Sequence, residues 1–382
     1  MGTSPVIGIV GSRGAFGAWL ARFYRERMGL TVIGRDPAGD TALSERELLA
    51  ASDVLVFAAP IRHTAGLIAH YATLAAGSER GKLWLDLTSI KVAPVAAMLR
   101  SQAEVVGLHP MCAPPKAPTL KGRVLVVCEA RLQRWRGWLA EMLAALEAQC
   151  VAATPAQHDE RMALVQAMVH ASHLAQAVVL RGSAPEVAGP QDVLPFRSVS
   201  FEMDLAVAAR ILAGNPEIYE GIQFDNPAVL PMLDRLQAAL AGLRECVRAG
   251  DEAARQRFRA TFIEPGRAFF GAGGLASGNY GFERLGYLLA DLAEPRALSV
   301  VLRQDQTGAL RELLAIFERH AINLASIHSS RTPEGEVHFR IGWVGEVLAV
   351  GSDEFQVVQA PVEMDHVPLL VRPARGEPGV NS

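Results

Sequence analysis

Between residues 5 and 155 short apolar runs alternate with stretches of helical spacing, and this alternation constrains the fold more than any other feature of the chain. The runs are Val6–Val10, Leu30–Gly34, Val54–Ala58, Leu83–Asp86, Val105–Gly107, Val124–Val127 and Cys150–Ala153. Most are short, rich in β-branched residues and unalternated, as strands buried on both faces read. The expected fold class is therefore α/β, with a doubly wound parallel sheet over residues 1–155. At 382 residues the chain is too long for one compact core, so further domains are expected.

From 156 to 293 strand signals vanish. His158–Leu180, Val199–Ala213, Pro216–Phe224 and Ala228–Ala249 read as helices, with Asn215-Pro216 separating the second from the third. Gly271-Ala-Gly-Gly and Ser277-Gly-Asn predict a loop ahead of a helix over Phe282–Leu292. An all-helical middle domain of this kind suits substrate contacts and a homodimer interface. A small α+β domain follows over 294–372, with strand Leu298–Leu302, amphipathic helix Thr307–His320 and strands Ile322–His328 and Val337–Trp343. Residues 373–382 form a Gly/Pro-rich tail.

A net charge of −3 argues against bulk nucleic-acid binding, which needs a concentrated basic surface. The chain holds no unbroken apolar run of membrane-spanning length, and no membrane span is expected. No signal peptide is visible ahead of the first strand. Cys112, Cys128, Cys150 and Cys246 lack metal-site or CxxC spacing, which suits a reducing cytoplasm. The expected partner is a small molecule.

The first strand runs into Gly11-Ser12-Arg13-Gly14-Ala15-Phe16-Gly17 and then a helix. Glycines there let the backbone approach a pyrophosphate, and the helix N-terminus meets it with free N–H groups. Ser12 replaces the usual first glycine, so the pattern is GxxGxxG; a ligand-free tight turn is the alternative. The second strand leads to Arg35-Asp36, and Asp36 follows Gly17 by 19 residues, where an acid accepts the ribose hydroxyls of a Rossmann-bound dinucleotide. A carboxylate there repels a 2′-phosphate, which favours NAD; Arg35 beside it would welcome that phosphate, which leaves NADP open. The expected cofactor-binding set is Gly11, Ser12, Gly14, Ala15, Phe16, Gly17, Arg35 and Asp36, with Pro60 after the third strand.

Hydride transfer from a carbon bearing a hydroxyl requires that the hydroxyl proton also leave, and histidine suits that task. His109 follows a strand at the carboxyl edge of the expected sheet, with Pro110 stiffening the turn that presents it. A strand-capping structural histidine is the other reading. Ser89 follows the preceding strand, where its hydroxyl would reach the same substrate oxygen or simply cap a helix. Lys91 reads as a solvated charge. On the helix from His158, Gln166, His170 and His173 fall within about 60° of arc and make a polar stripe among apolar neighbours. His170 and His173 have zinc-like spacing, but no cysteine or HExxH accompanies them, so no metal is expected. Arg210 lies on the next helix among small residues, placed either to bind a carboxylate or to pair with Asp204 or Glu217.

Asp86-Leu-Thr-Ser89-Ile-Lys91, Gly107-Leu-His109-Pro110-Met111, His158-Asp-Glu-Arg-Met-Ala-Leu-Val-Gln166-Ala-Met-Val-His170 and Arg210-Ile-Leu-Ala-Gly-Asn-Pro-Glu-Ile-Tyr219 occur in an order and spacing that resembles the prephenate dehydrogenase family. The resemblance covers nearly all of residues 5–250 and is strongest with the enteric branch. It implies oxidative decarboxylation of prephenate to 4-hydroxyphenylpyruvate with NAD. It makes His109 the base on the 4-hydroxyl and Ser89 a contact to that hydroxyl. His170 and Gln166 then line the substrate site, Arg210 binds the ring carboxylate, and Tyr219 is an aromatic neighbour. Asp305-Gln-Thr-Gly308-Ala-Leu310 and Ile322-Asn323-Leu324 resemble an ACT regulatory domain, which implies tyrosine as an effector near Gly308, Leu310, Asn323 and Leu324.

The chain departs from the family at Ser12, at Cys112-Ala113 after His-Pro-Met, and at Glu202, where the enteric branch has arginine. No chorismate mutase segment precedes the first strand, so a monofunctional chain is expected. Arogenate or cyclohexadienyl dehydrogenase and amino-deoxyprephenate dehydrogenase are the near alternatives. A non-catalytic amino-acid sensor is the distant one.

Overall fold

The structure is a computed structural model that describes residues 4–182, 188–293, 297–302, 307–331 and 337–344. The chain divides into two compact units, Met1–Ala241 and Gly242 onward. The first begins with β1 (Ile7–Val10), α1 (Ala15–Glu26), β2 (Val32–Arg35), α2 (Glu45–Ala51), β3 (Val54–Phe57), α3 (Ile61–Ala75), β4 (Leu83–Asp86) and α4 (Val92–Leu99). It continues through β5 (Glu104–Pro110), β6 (Val124–Arg131), α5 (Arg136–Leu146) and β7 (Gln149–Ala152).

These strands form one sheet in the order β2-β1-β3-β4-β5-β6-β7. Both faces of its central strands are dry, which explains the unalternated runs there, whereas the edge strand β7 is exposed along its length. Ile7, Ile9, Val54 and Val56 face Trp19, Phe23 and Tyr24 of α1 and Met142 of α5. Val10, Leu55, Phe57 and Trp84 face Leu48, Ile68, Tyr71 and Met98 of α2, α3 and α4. The strand order reverses between β1 and β3, so the turns after them open at the switch point where dinucleotides lie.

The sheet is mixed where an all-parallel one was expected: β6 pairs antiparallel with β5 and parallel with β7. A parallel return needs a crossover, usually helical. The connection from Met111 to Arg123 carries Pro114, Pro115 and Pro118 and forms no helix. Strand β5 also runs longer than predicted, so His109 and Pro110 are its last residues rather than a turn after it.

Next come α6 (Pro155–Met162), a π-helical segment (Ala163–Met168) and α7 (Val169–Gly182), then a short α8 (Pro190–Val193), α9 (Val199–Leu212) and α10 (Pro216–Phe224). Helix α11 (Val229–Ala249) runs across the boundary between the units. Thr154 starts α6 with a reciprocal capping box to Gln157. Ile61, Ala163, Ala167, Ile222 and Met232 form a small core that seats these helices against the start of α3. Although no unbroken apolar run was found, the continuous helix Pro155–Gly182 is long and apolar enough on average to cross a membrane, and only 11% of its most apolar window is buried.

The second unit contains α12 (Glu252–Phe258) and α13 (Glu264–Ala293). The loop expected at Gly271 and Ser277 is reduced to a kink at Gly271 (φ 65°, ψ 167°), where two helical stretches meet, and the residues around Ser277 are helical. Each glycine costs a helix only about 1 kcal/mol, so the helix resumes directly after the kink. Strands β8 (Ala297–Leu302), β9 (Asn323–Arg331) and β10 (Val337–Val344) make a sheet ordered β8-β10-β9, antiparallel throughout. Phe317 of α14 (Ala309–Arg319) packs with Val300, Val337, Phe339 and Ile341 of that sheet.

Candidate active site

Strands β4 and β5 lie side by side with Asp86 opposite Gly107. Asp86 Oδ1 accepts from Thr88 N at 3.1 Å, from Thr88 Oγ1 at 2.7 Å and from Lys91 Nζ. Lys91 is wholly buried, which corrects its reading as a solvated charge. Burial pushes its pKa down while Asp86 opposes the shift. Glycine at 107 makes room: a Cβ there would lie 2.8 Å from Lys91 Cδ and 3.1 Å from Asp86 Oδ2. A buried pair of this kind is costly to break, because the survivor is left as an uncompensated charge.

Helix α6 docks on the start of α4 through Asp159. Its Oδ1 accepts from Lys91 N at 2.7 Å, and its Oδ2 accepts from Val92 N at 2.9 Å. Oδ1 also meets His158 Nδ1 at 2.7 Å. A carboxylate can only accept, so His158 carries a proton on Nδ1, and the neutral ring presents Nε2 as an acceptor. His158 Nε2 lies 2.8 Å from His109 Nδ1, which must then be the protonated nitrogen of that ring. The lone pair of His109 therefore sits on Nε2, toward the Gln166 amide nitrogen at 3.4 Å. His109 is buried, and desolvation, then His158, then Lys91, hold its pKa well below the ordinary 6.5. The result is a neutral base with its free nitrogen chosen by a two-residue relay.

The polar stripe meets three different neighbours. Gln166 sits in the π-helical segment, a feature common at functional sites, and its buried Oε1 has no hydrogen-bond partner among the described residues. The His170 ring packs edge-on against Tyr219, centroids 4.9 Å apart, and its buried Nδ1 likewise has no partner among the described residues. Burial, Arg210 and His173 lower the His170 pKa, in that order. His173 bonds Val169 O at 2.8 Å and Asp204 at 3.2 Å. Among the described residues no group of three or more metal-ligating side chains forms.

Asp204 is thus engaged by His173, and Glu217 by Arg62 at 2.7 Å. Neither pairs with Arg210, whose side chain has no ion pair or hydrogen bond among the described residues. Ser89 is half-buried and does not cap α4, whose N-cap residue is Lys91. Glu202 pairs with Arg197 at 3.1 Å. His158 and Asp159 received no role from sequence; they belong to a run of four titratable residues, His158-Asp159-Glu160-Arg161, and only their burial sets them apart from Glu160 and Arg161.

At the switch point Gly11 has φ +86°, and a Cβ on it would lie 2.6 Å from Ala58 O. A Cβ on Gly17 would lie 2.0 Å from Gly11 O. Gly14 provides no side-chain cap to α1, so the N–H groups of Ala15, Phe16 and Gly17 point out of the helix end. Pro60 is the N-cap residue of α3 at the same edge. Asp36 accepts from Arg13 N and Ala38 N, whereas the Arg35 guanidinium donates to Leu43 O at 2.7 Å.

In the second unit, Gly308 and Leu310 stand at the start of α14, while Asn323 and Leu324 open β9 beyond its other end. Nine helical residues, Arg311–Arg319, about 14 Å of rise, lie beyond Leu310, so the two pairs stand toward opposite ends of the helix.

The family model described as the dimerization domain of prephenate dehydrogenase matches residues 154–263. The 4-amino-4-deoxyprephenate dehydrogenase of Streptomyces pristinaespiralis is 32% identical over 273 residues, covering 67% of this chain and 88% of that protein. The chain belongs to the prephenate dehydrogenase family. The family's T-proteins from Haemophilus influenzae and Enterobacter agglomerans are 30% and 28% identical over 60% and 68% of this chain; the matches span 58% and 65% of their own lengths. The fold is that of family members of known structure. Prephenate dehydrogenase from Aquifex aeolicus, in complex with hydroxyphenyl propionate and NAD+, has a TM-score of 0.54 at 18% identity over 70% of this chain and 99% of that one. Synechocystis arogenate dehydrogenase has a TM-score of 0.51 at 18% identity, with coverage of 69% and 99%.

Proposed function

We propose that the chain oxidatively decarboxylates prephenate to 4-hydroxyphenylpyruvate with NAD+. The carrying observation is the buried His109, whose Nε2 is kept unprotonated by His158 and Asp159 at the carboxyl edge of the sheet. The turn after β1 fits a dinucleotide, since side chains at Gly11 and Gly17 would fill the close approaches there and α1 offers uncapped N–H groups. Gly11, Ser12, Gly14, Ala15, Phe16 and Gly17 would hold the pyrophosphate, Asp36 the ribose, and Pro60 the opposite wall. The bound nicotinamide supplies a hydride acceptor.

His109 Nε2 takes the proton of the substrate 4-hydroxyl as hydride leaves C4. Gln166 and Ser89 orient that hydroxyl, and the relay through His158 to Asp159 stabilises the imidazolium that forms. Arg210 and His170 hold the ring carboxylate until it departs as CO2; the electron pair of the broken bond passes into the ring, which aromatises, and the proton held by His109 returns to the phenolate oxygen. The charge is lost in the transition state, so the grip on it must be firm but not maximal. An unpaired guanidinium suits this role. Arg210→Gln is expected to raise KM about 30-fold with a smaller change in kcat. Steady-state kinetics check it, and an unchanged KM would remove Arg210 from the substrate site.

Arogenate and 4-amino-4-deoxyprephenate are the alternatives, the latter favoured by the Streptomyces relative. Following NADH formation with each of the three substrates tests the assignment. Turnover of none, with tyrosine still bound, would make the chain a sensor.

The half-exposed apolar surface of Pro155–Gly182, together with exposed Val165, Val178, Leu212 and Leu230, is proposed to seat a second copy of the chain. Sedimentation equilibrium is expected to give a dimer, and a monomer at micromolar concentration would refute it. Tyrosine is the proposed effector of the β8–β10 sheet and its helix; calorimetry of the whole chain showing no heat of tyrosine binding would exclude it.

A further inference from the structure

Ser12, the departure from the glycine pattern, has a partner. Its Oγ donates to Asp40 Oδ2. Asp40 closes the loop that begins at Asp36: Asp36 N donates to Asp40 O at 2.8 Å, and Asp40 N to Asp36 O at 2.9 Å. Both Asp36 carboxylate oxygens are held, Oδ2 by Arg13 N at 3.0 Å and Oδ1 by Ala38 N at 2.9 Å. The Arg13 guanidinium reaches Gly39 O at 3.4 Å. Gly34 lies against Ser12 and Asp40; a Cβ there would sit 2.5 Å from both Asp40 Oδ2 and Ser12 Cβ. Residues 12 and 13 of the nucleotide turn therefore tie down the Asp36–Asp40 loop at three points. The Arg35 guanidinium takes no part, being turned toward Leu43 O and Glu45, while its carbonyl accepts from Gly11 N at 2.8 Å and Ser12 N at 3.4 Å.

We propose that the Ser12–Asp40 hydrogen bond is a clasp that positions the Asp36 carboxylate for the adenosine ribose, and through it sets the discrimination against a 2′-phosphate. Ser12 and Asp40 are positioning residues, and the proposal rests on the dinucleotide reading of the turn. A carboxylate already fixed by two N–H groups accepts ribose hydroxyls without an ordering cost. Held in the same place, it repels a phosphate carried on that ribose. Releasing the clasp lets the loop move away, which removes the attraction and the repulsion together. The chain thus couples its missing glycine to its cofactor choice, and restoring the glycine is harmful.

Titration of the full-length chain with NADH and with NADPH, followed by nucleotide fluorescence, tests this. Ser12→Gly and Asp40→Ala are expected to weaken NADH binding about tenfold, with NADPH affinity unchanged or increased. Asp40→Asn keeps an acceptor for Ser12 and is expected to retain the wild-type ratio of the two affinities. Wild-type NADH affinity in Ser12→Gly would overturn the clasp, as would equal weakening of both nucleotides, which marks a merely structural role. If the wild-type chain binds neither nucleotide, the dinucleotide reading fails and the proposal with it.

Discussion

Replacing His109 by asparagine is expected to lower kcat by about three orders of magnitude while leaving KM within a few-fold of wild type. The asparagine amide can donate to His158 Nε2 as the His109 Nδ1–H does, so the buried scaffold survives. What disappears is the basic lone pair at Nε2. The same geometry sets the pH dependence. Burial, His158 and Lys91 hold the His109 pKa well below 6.5. The base is therefore unprotonated throughout neutrality, and kcat/KM should stay flat from pH 8 down through about 6.5, the reference value for histidine, and fall only at more acidic pH. A fall beginning above 6.5 would show that His109 is not the titrating base. Turnover by His109→Asn near the wild-type rate would end the proposed mechanism.

Asp159→Asn is expected to lower kcat by about two orders of magnitude through a change of tautomer. Asp159 accepts from three donors: Lys91 N, Val92 N and His158 Nδ1. An asparagine has one acceptor oxygen, and with that oxygen kept on Val92 N its NH2 takes the place of Oδ1, which faces Lys91 N and His158 Nδ1. Its NH2 group then faces His158, which is driven to place its proton on Nε2. That proton would meet the Nδ1–H of His109, so His109 must carry its own proton on Nε2, facing the substrate, where it can no longer accept. Substrate affinity should change little, because Asp159 lies two groups away from the reacting oxygen. Nitrogen chemical shifts of the two imidazoles report the tautomers directly. A variant with native tautomers and reduced kcat would show that Asp159 acts in some other way.

The sheet was legible because its strands announce burial on both faces; Ile7 and Ile9 meet one helical layer while Val10 meets the other. His109, Gln166, His170 and Tyr219 were legible as members of an ordered set of motifs, and two direct contacts, His109 with Gln166 and His170 with Tyr219, join them. The relay was not. Asp159 reaches Lys91 across 68 positions and His158 reaches His109 across 49, and spacing along a chain says nothing of such meetings. Lys91 misled for a related reason: lysines are mostly solvated, and only the absence of a side chain at Gly107 makes a dry seat for this one. The direction of β6 depended on whether a proline-rich connection could form a helix, and the resumption of helix after the kink at Gly271 depended on how few glycines of α13 leave helical geometry.

The π-helical turn between Ala163 and Met168 has a consequence for how this protein can change. A wider turn holds one residue more than an α-helical turn, so it takes up that residue without rotating the helix that follows. Deleting one position there would restore ordinary winding and leave the downstream helix close to its present phase, with His170 still against Tyr219, while Gln166, inside the widened turn, would lose its place beside His109. The extra residue thus aims one side chain and leaves the helix on either side of it undisturbed.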